Sequence, residues 1–463
     1  MDMNQEQEKR LGTMPVGKLL FQMALPAIAA QIINVLYNIV DRMYIGHIPD
    51  IGDKALTGVG VCMPLIMAIS AFAALASMGS APRASIMMGK GDEDAAEEIM
   101  NNSFIMLLIL GVLLTVVFLI FGEPILMIFG ASENTIGYAI DYMRIYACGT
   151  LFVQLALGLN AFITAQGFAK TSMLTVLIGA VLNIILDPIF IFVFGMGVKG
   201  AALATILSQL VSVIWVVCFL RSKKTVIHIR PRYFRLRAKV ILPCIALGVS
   251  PFIMQFTEGV LSVCFNTQLL KYGGDLAVGA MTILNSAMQF SMLPLMGLTQ
   301  GGQPIISYNY GAGNLKRVKH TFRLLLISCL SYSTLIWAVC MFAPQVVIHM
   351  FTAKTELVTF TVKAIRVYMA VSLVFGAQIA CQQTFIALGN AKTSVFLALL
   401  RKVFLLIPLI FVLPRVFNGS QTMAVFTAEP LADACAVSVT VILFIISFRK
   451  LMRSDKPFAP NSH

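Results

Sequence analysis

The sequence predicts an all-α membrane protein with twelve transmembrane helices, arranged as two six-helix bundles related by a pseudo-twofold axis. Three observations predict this fold class. Hydrophobic residues make up 58% of the 463-residue chain and charged residues only 12%, whereas soluble domains carry about 25% charged residues. Apolar stretches long enough to cross a bilayer recur along the chain. The two halves of the chain also repeat each other at a fixed spacing.

The apolar stretches set the number of helices. Segments 103–121, 172–194 and 203–220 contain at most one charge each, and each is close to the ~20 residues that span the hydrocarbon core. Only a helix satisfies its own backbone hydrogen bonds over such a stretch, and the continuous apolar pattern excludes a β-barrel. We predict spans near residues 18–45, 55–80, 99–121, 137–165, 172–194, 201–220, 240–269, 276–300, 321–343, 358–388, 394–414 and 424–448.

The net charge of +13 is concentrated on one side of the predicted membrane. Residues 221–239 hold eight Lys or Arg residues and no acid, and further basic clusters lie at 316–323 and 449–456. With twelve spans, all three regions fall on the side of the N-terminus. The positive-inside rule therefore predicts that both termini lie in the cytoplasm. We expect a multi-pass protein of the bacterial inner membrane. We expect the basic loop to contact anionic membrane lipid and not nucleic acid.

The reactive residue types give no sign of an enzyme. The nine cysteines are scattered singly, without metal-ligand spacing. The five histidines lie at span ends, in loops or at the terminus. A phosphate-binding loop, which an ATP-driven pump would need, is missing from the sequence. We predict a monomeric, non-enzymatic protein with no cofactor other than a coupling ion.

An internal repeat organises the chain. At an offset of 222 residues, the Gly-x-Ala-Lys-Thr-Ser motif at 167–172 recurs at 389–394. Other residues that recur at this offset are Pro82, Ser85, Gly89 and Gly91, as Pro304, Ser307, Gly311 and Gly313. An even number of spans per half makes this a parallel repeat, a common design of secondary transporters. The predicted divisions are an N-lobe at 1–220, a basic cytoplasmic linker at 221–239, a C-lobe at 240–450 and a cytoplasmic tail at 451–463.

Polar side chains form stripes inside several spans of the N-terminal half. Because polar groups in a bilayer are costly, such stripes should face the interior of a bundle. The stripe in the first span follows the i, i+3, i+4, i+7 spacing of one helix face. The residues are Asn34, Tyr37, Asn38 and Asp41 in span one, Asn160 in span four, Asn183 and Asp187 in span five, and Thr205 in span six.

Two of these residues, Asp41 and Asp187, are not required by the repeat. Their counterparts in the second half are Asn266, at an offset of 225, and Leu409, at 222. Acids restricted to one half suggest a function beyond the scaffold. The structural alternative is that they pair with Arg42 or cap broken helices.

The chemistry of two acids in an apolar cavity favours cation binding. Desolvation and a neighbouring carboxylate both favour the protonated form of one acid, so such a pair can take up H⁺. Two carboxylates with an amide and a hydroxyl oxygen would also suit Na⁺, which prefers oxygen ligands. We expect H⁺ as the coupling ion, with Na⁺ able to share a site at Asp41, Asn183, Asp187 and Thr205.

The C-terminal half has polar stripes of its own. We predict a substrate cavity lined by Gln255, Glu258, Asn266, Asn285 and Gln289. We interpret Glu258 as the only acid within a span of this half. It either attracts a cationic substrate or belongs to a structural hydrogen-bond network. Arg401 and Lys402 in span eleven either pair with Glu258 or line the cavity.

Several motifs are together specific, although each alone is weak. They are Pro26 in the first span, Asp41-x-x-x-Ile45-Gly46 at its end, Asn183-x-x-x-Asp187-Pro188, the Gly-x-Gly turns at 89–91 and 311–313, and Gly389-Asn-Ala-Lys392. With these motifs the chain resembles the multidrug and toxic compound extrusion (MATE) transporters over essentially its full length. Within that family it is similar to the DinF-like branch and its MepA-type bacterial multidrug exporters.

The resemblance implies a MATE-like fold with a cation site in the N-lobe. Carried over by position, that site uses Tyr37, Asp41, Asn160, Asn183, Asp187 and Thr205, with Tyr142 nearby. It also implies that Pro26 lets the first span bend when occupancy of the site changes. The NorM-like branch uses acids of the C-lobe instead. Glu258 matches one of those acids, but span ten has no match for another.

The resemblance implies a cation-coupled antiporter that exports amphiphilic, often cationic, drugs and toxic compounds by alternating access. Its partners would be small amphiphilic molecules and membrane lipid. The alternative is a flippase for lipid-linked precursors, in the same superfamily. A flippase would be expected to have a strongly cationic cavity, and cations within the predicted spans are few.

Overall fold

The computed structural model describes residues 10–417 and 419–453, and most of these residues are helical. The polar N-terminal residues 1–9 and most of the predicted tail, 454–463, lie outside the described residues. Helices α1 to α8 of the N-terminal half are Val16–Gly46, Gly52–Ser77, Ser80–Gly89, Glu93–Ile128, Ile136–Cys148, Thr150–Ala165, Ala169–Pro188 and Val198–Arg221. Helices α9 to α16 are Ala238–Gly311, Leu315–Phe342, Pro344–His349, Thr355–Tyr368, Phe375–Ala387, Ala391–Leu399, Ile407–Val416 and Gln421–Arg453.

The described helices account for twelve membrane spans. Nine helical segments are long and apolar enough to cross a bilayer, and two bent pairs of helices bring the number to eleven. The bent pairs are Ile136–Cys148 with Thr150–Ala165 and Thr355–Tyr368 with Ser372–Ala387. The 74-residue α9 is two helices joined at Gly274, whose φ of 61° lies in the left-handed region that favours glycine. Dividing α9 there gives the twelfth span. The predicted fold class is confirmed.

The repeat appears as duplicated hydrogen bonds. The hydroxyl of Ser85 donates to the carbonyl of Ala165 (3.2 Å), and that of Ser307 donates to the carbonyl of Ala387 (2.8 Å). Both members of each bond are shifted by the same 222 residues. The helix caps repeat as well, since the side chains of Asp92 and Asn314 accept from the backbone at the starts of α4 and α10. The scaffold of one half is therefore rebuilt in the other.

The two halves touch through glycines on either side of the pseudo-twofold axis. A Cβ atom on Gly89 would lie 2.0 Å from the carbonyl oxygen of Tyr308, and one on Gly311 would lie 2.0 Å from that of Ile86. These two contacts are the same contact repeated at the 222-residue offset. Helices can approach this closely only where no side chain intervenes.

The contacts between the lobes lie at the end of the bundles nearest residues 222–237. Besides the glycine contacts, Gly79 packs on the backbone of Cys244 and Gly248, and the side-chain amide of Gln31 donates to Gln300 (3.1 Å). Asp41 follows Gln31 along α1, and Glu258 lies between Gly248 and Gln300 on α9. Asp41 and Glu258 therefore lie beyond the region where the lobes meet.

The basic linker is attached to the N-terminal half by ion pairs with the first two turns of α4. Arg230 binds Glu97 (3.1 Å), Arg232 binds Asp94 (2.7 Å) and Arg237 binds Glu98 (2.7 Å). These acids neutralise part of the positive charge that the sequence places in this loop. Lys223, Lys224, Arg235 and Lys239 remain exposed, and contact between these residues and anionic lipid stays a prediction.

The glycine contacts can be tested by adding a single methyl group. Gly311→Ala should lower the apparent melting temperature of the purified protein by at least about 2 °C, because the added Cβ meets a backbone oxygen that cannot rotate away. Gly60→Ala is the matched control, since a Cβ there meets nothing within 4 Å. Thermal unfolding in detergent measures the melting temperatures of both variants. Equal values would show that the stability of the protein does not depend on the close contact at Gly311.

Candidate functional site

The two acids of the N-terminal half meet in one buried centre. Asp41, near the end of α1, and Asp187, at the end of α7, are both buried, and their carboxyl groups interact electrostatically. Their exposed fractions are 9% and 0%.

An amide and a hydroxyl complete this centre. The side-chain nitrogen of Asn183 donates to Asp187 (3.2 Å) and lies 3.3 Å from the hydroxyl of Thr205 on α8. Asn183 and Asp187 share one face of α7 because they are four residues apart. The structure thus joins Asn183, Asp187 and Thr205 by hydrogen bonds, with Asp41 in electrostatic interaction with Asp187, and cation binding by this group stays a prediction.

Several oxygens in this centre are buried without a donor. Asp41 Oδ1, Asp187 Oδ2 and Asn183 Oδ1 are inaccessible to solvent and accept no hydrogen bond from any described residue. Buried acceptors left unmatched cost about 1–3 kcal/mol each. A cation, either H⁺ or Na⁺, would satisfy them, so the residues present fit the ion that the sequence implies.

Tyrosines surround Asp41. Asp41 interacts electrostatically with Tyr37 of the same helix and with the buried Tyr142 and Tyr146 of α5. The rings of Tyr142 and Tyr146 stack with centroids 5.8 Å apart. Tyr146 was missed by the sequence reasoning, although its segment, residues 143–146, recurs as residues 365–368 at the 222-residue offset. Tyr368 is its counterpart in the second half.

Two other predicted residues lie outside this hydrogen-bonded group. The amide of Asn160 donates to the carbonyl of Ser172 (3.3 Å), at the start of α7, while its own oxygen lacks a donor among the described residues. Pro26 is buried within α1, and its proposed part in helix bending stays a prediction. Arg42 donates to the sulfur of Met63 and forms no ion pair with Asp41 in the described chain.

The C-terminal half contains two acids that the sequence analysis overlooked. Glu429 and Asp433 lie in α16, so the interpretation of Glu258 as the only acid within a span of this half is wrong. The guanidinium of Arg401 binds Asp433 (2.6 Å) and Glu429 (3.1 Å), and Lys402 binds Glu258. A buried cation pair in a span needs counter-charges, and that requirement could have directed attention to α16.

The predicted cavity residues of α9 are at least partly accessible. Asn266 and Gln289 are exposed, and Gln255 and Asn285 are half-buried. The side chain of Glu258 is 58% exposed, whereas that of its partner Lys402 is 6% exposed. Glu258 therefore combines an ion pair on one side with an open face on the other.

Comparison with known proteins gives concordant relatives over the whole chain. The family model described as MatE matches residues 26–189 and 251–412, once in each half. The chain is 26% identical over 445 residues to the multidrug export protein MepA of Staphylococcus haemolyticus, an alignment that covers 95% of this chain and 96% of that protein.

Solved structures agree with this assignment. The MATE multidrug transporter DinF-BH, solved as a complex, is 31% identical and superposes with a TM-score of 0.87 over 98% of this chain and 99% of its own. A MATE structure in the bent conformation superposes with a TM-score of 0.90 over 96% of this chain and 98% of its own. The sequence identity is 21%, so this likeness shows the shared fold. A family model that matches both halves and a relative of this similarity show that the chain belongs to the MATE family of transporters.

Proposed function

We propose that this protein exports amphiphilic, often cationic, drugs and toxic compounds in exchange for a cation that binds at Asp41 and Asp187. The observation that carries the proposal is the burial of both acids in one centre, where Asn183 bonds Asp187 and Thr205. Two relatives of this chain support the proposal: MepA is a multidrug export protein, and DinF-BH is a multidrug transporter. No other pair of acids in the described N-terminal half is buried in this way.

H⁺ is our preferred coupling ion. Two carboxylates in one dry pocket cannot both stay ionised at low cost, so the pair binds a proton as a coupled unit. One proton between Asp41 and Asp187 cancels a charge and needs no further ligands. Na⁺ would use the free oxygens of Asp41, Asn183 and Asp187, but it also demands a complete coordination shell.

The position of the inter-lobe contacts supports alternating access. We place the linker end of the bundles in the cytoplasm, because the basic clusters lie there. The lobes then meet on the cytoplasmic side, while Asp41 and Glu258 lie toward the outside. Rocking of the lobes about the glycine contacts would transfer access from one face to the other.

The flippase alternative is less well supported. A flippase for anionic lipid precursors needs free positive charge in its cavity. Arg401 and Lys402, the cations buried within the described spans of the C-terminal half, are both bound to carboxylates. Their charge is therefore not available to an anionic headgroup.

We expect Asp41→Asn and Asp187→Asn each to abolish coupled export without preventing folding. An amide in either position can donate to the remaining carboxylate, so it fixes the pair in a state equivalent to the singly protonated one, which cannot release its proton. Drug accumulation in an efflux-deficient host measures the loss. Asp53→Asn, which removes an exposed acid from the first turn of α2, is the control that should export normally. Wild-type efflux by either variant would exclude that residue from coupling.

Export should follow an imposed pH gradient in nominally Na⁺-free buffer. Proteoliposomes containing the wild-type protein measure this directly, because the protonated pair can form without any metal ion. Vesicles carrying the Asp41→Asn variant should show no gradient-driven transport. If a Na⁺ gradient drives transport and a pH gradient alone does not, the same residues form a Na⁺ site and the proton assignment is wrong.

A further inference from the structure

A second buried centre of charge lies in the C-terminal half. Arg401 and Lys402 of the span formed by α14 and α15 bind Glu429 and Asp433 of α16 and Glu258 of α9. Arg401 also lies over the ring of Phe375, with its guanidinium carbon 4.5 Å from the ring centroid. We call these five charged residues the C-lobe cluster.

With all three of its carboxylates ionised, the C-lobe cluster is one positive charge short of neutrality. It holds three carboxylates and two cations, all in mutual contact or electrostatic interaction. Net charge inside a bilayer is expensive, so such a group is stabilised by any further monovalent cation. The cluster is therefore built to accept one more positive charge.

Only one carboxylate of the C-lobe cluster can be reached. The exposed fractions of the Glu429 and Asp433 side chains are both 6%, and Arg401 engages both acids. The Glu258 side chain is 58% exposed, although its partner Lys402 is buried. A ligand that brings the missing charge must therefore dock at Glu258.

The repeat indicates that the scaffold does not require these charges. At the 222-residue offset, Arg401 and Lys402 correspond to Gly179 and Ala180. The remaining counterparts are also apolar: Leu207 for Glu429, Val211 for Asp433 and, at the 225-residue offset, Ile33 for Glu258. The two cations lie in a π-helical stretch, Leu400–Leu406, a distortion found frequently at functional sites.

An equivalent tyrosine accompanies the polar centre of each lobe. Tyr146 interacts with Asp41 in the N-terminal half, and its repeat counterpart Tyr368 interacts with Glu258, Glu429 and Asp433. The C-lobe cluster thus occupies the same part of its bundle as the cation centre of the other lobe. The difference is that the cations of the C-lobe cluster are the side chains of Arg401 and Lys402, whereas the cation proposed for the N-terminal half is a mobile ion.

We infer that Lys402 is a tethered competitor of the substrate: its ammonium occupies Glu258 in the empty transporter, and the cationic group of an amphiphilic substrate displaces it. The released ammonium moves toward Glu429, with which it already interacts. With the substrate cation bound, three carboxylates face three cations. Lys402 therefore sets the affinity for cationic substrates. This inference rests on the proposed export function and specifies how its substrates are selected.

Equilibrium binding of radiolabelled tetraphenylphosphonium to the purified full-length protein tests the inference, because this probe is permanently charged. Triphenylphosphine oxide is the neutral probe of similar shape. We expect Lys402→Gln to tighten tetraphenylphosphonium binding about tenfold, or ~1.4 kcal/mol, since it removes the competitor. Glu258→Gln should weaken binding of that probe by a similar factor. Neither substitution should change binding of the neutral probe.

The charge swap Glu258→Lys with Lys402→Glu keeps the experiment decisive if Lys402→Gln fails to fold. The swap restores an ion pair, so a purely structural bridge predicts wild-type binding of tetraphenylphosphonium, which would overturn the inference. We expect the swap to remain weak for this probe, because the accessible position now carries a cation. Equal tightening of both probes by Lys402→Gln would also overturn it, since that pattern reports a loosened cavity.

Binding at equilibrium needs no coupling ion, so this inference and the proposed function can fail separately. If an ion gradient drives export but tetraphenylphosphonium affinity is insensitive to Lys402 and Glu258, the inference alone is wrong. If the affinities change as expected but no gradient drives export, the coupling proposal alone is wrong.

Discussion

The cost of an unmatched charge in the bilayer is the constraint on which both polar centres of this protein depend. In the N-terminal half, Asp41 and Asp187 are buried without an ion-pair partner among the described residues, and in the function that we propose a mobile cation balances them. In the C-terminal half, Arg401 and Lys402 supply most of the balance themselves. The first centre thus has no counter-charge of its own, whereas the second is largely balanced by the chain and is exposed at Glu258.

A symmetric scaffold carries this asymmetric chemistry. Hydrogen bonds from Ser85 and Ser307, and the equivalent tyrosines at 146 and 368, recur at a single offset. The acids of the two buried centres follow no such rule, since each of them corresponds to an apolar or amide residue in the other half. The two halves thus share a framework of helices but differ in the ionisable groups buried within it.

The proposed rocking of the lobes would take place at the glycine contacts between them. Where Gly89 and Gly311 lie against backbone carbonyls, the lobes meet without interlocking side chains. A smooth interface of this kind resists separation through close packing but offers little obstacle to a small rotation. Ion pairs attach the linker to α4, so it is anchored on the N-terminal half.

The sequence by itself determined the twelve spans, the repeat and the acids Asp41 and Asp187, because apolar length, periodicity and internal comparison are local or linear properties of the chain. It also grouped Asn183 with Asp187 through helical spacing, and it identified Arg401 and Lys402 as unusual. Only the tertiary structure decided that Lys402 pairs with Glu258 and that Arg401 pairs with Glu429 and Asp433. Those partners lie on helices whose packing and rotation no linear pattern specifies, and the balance of charge in a buried centre depends on all the helices that meet there.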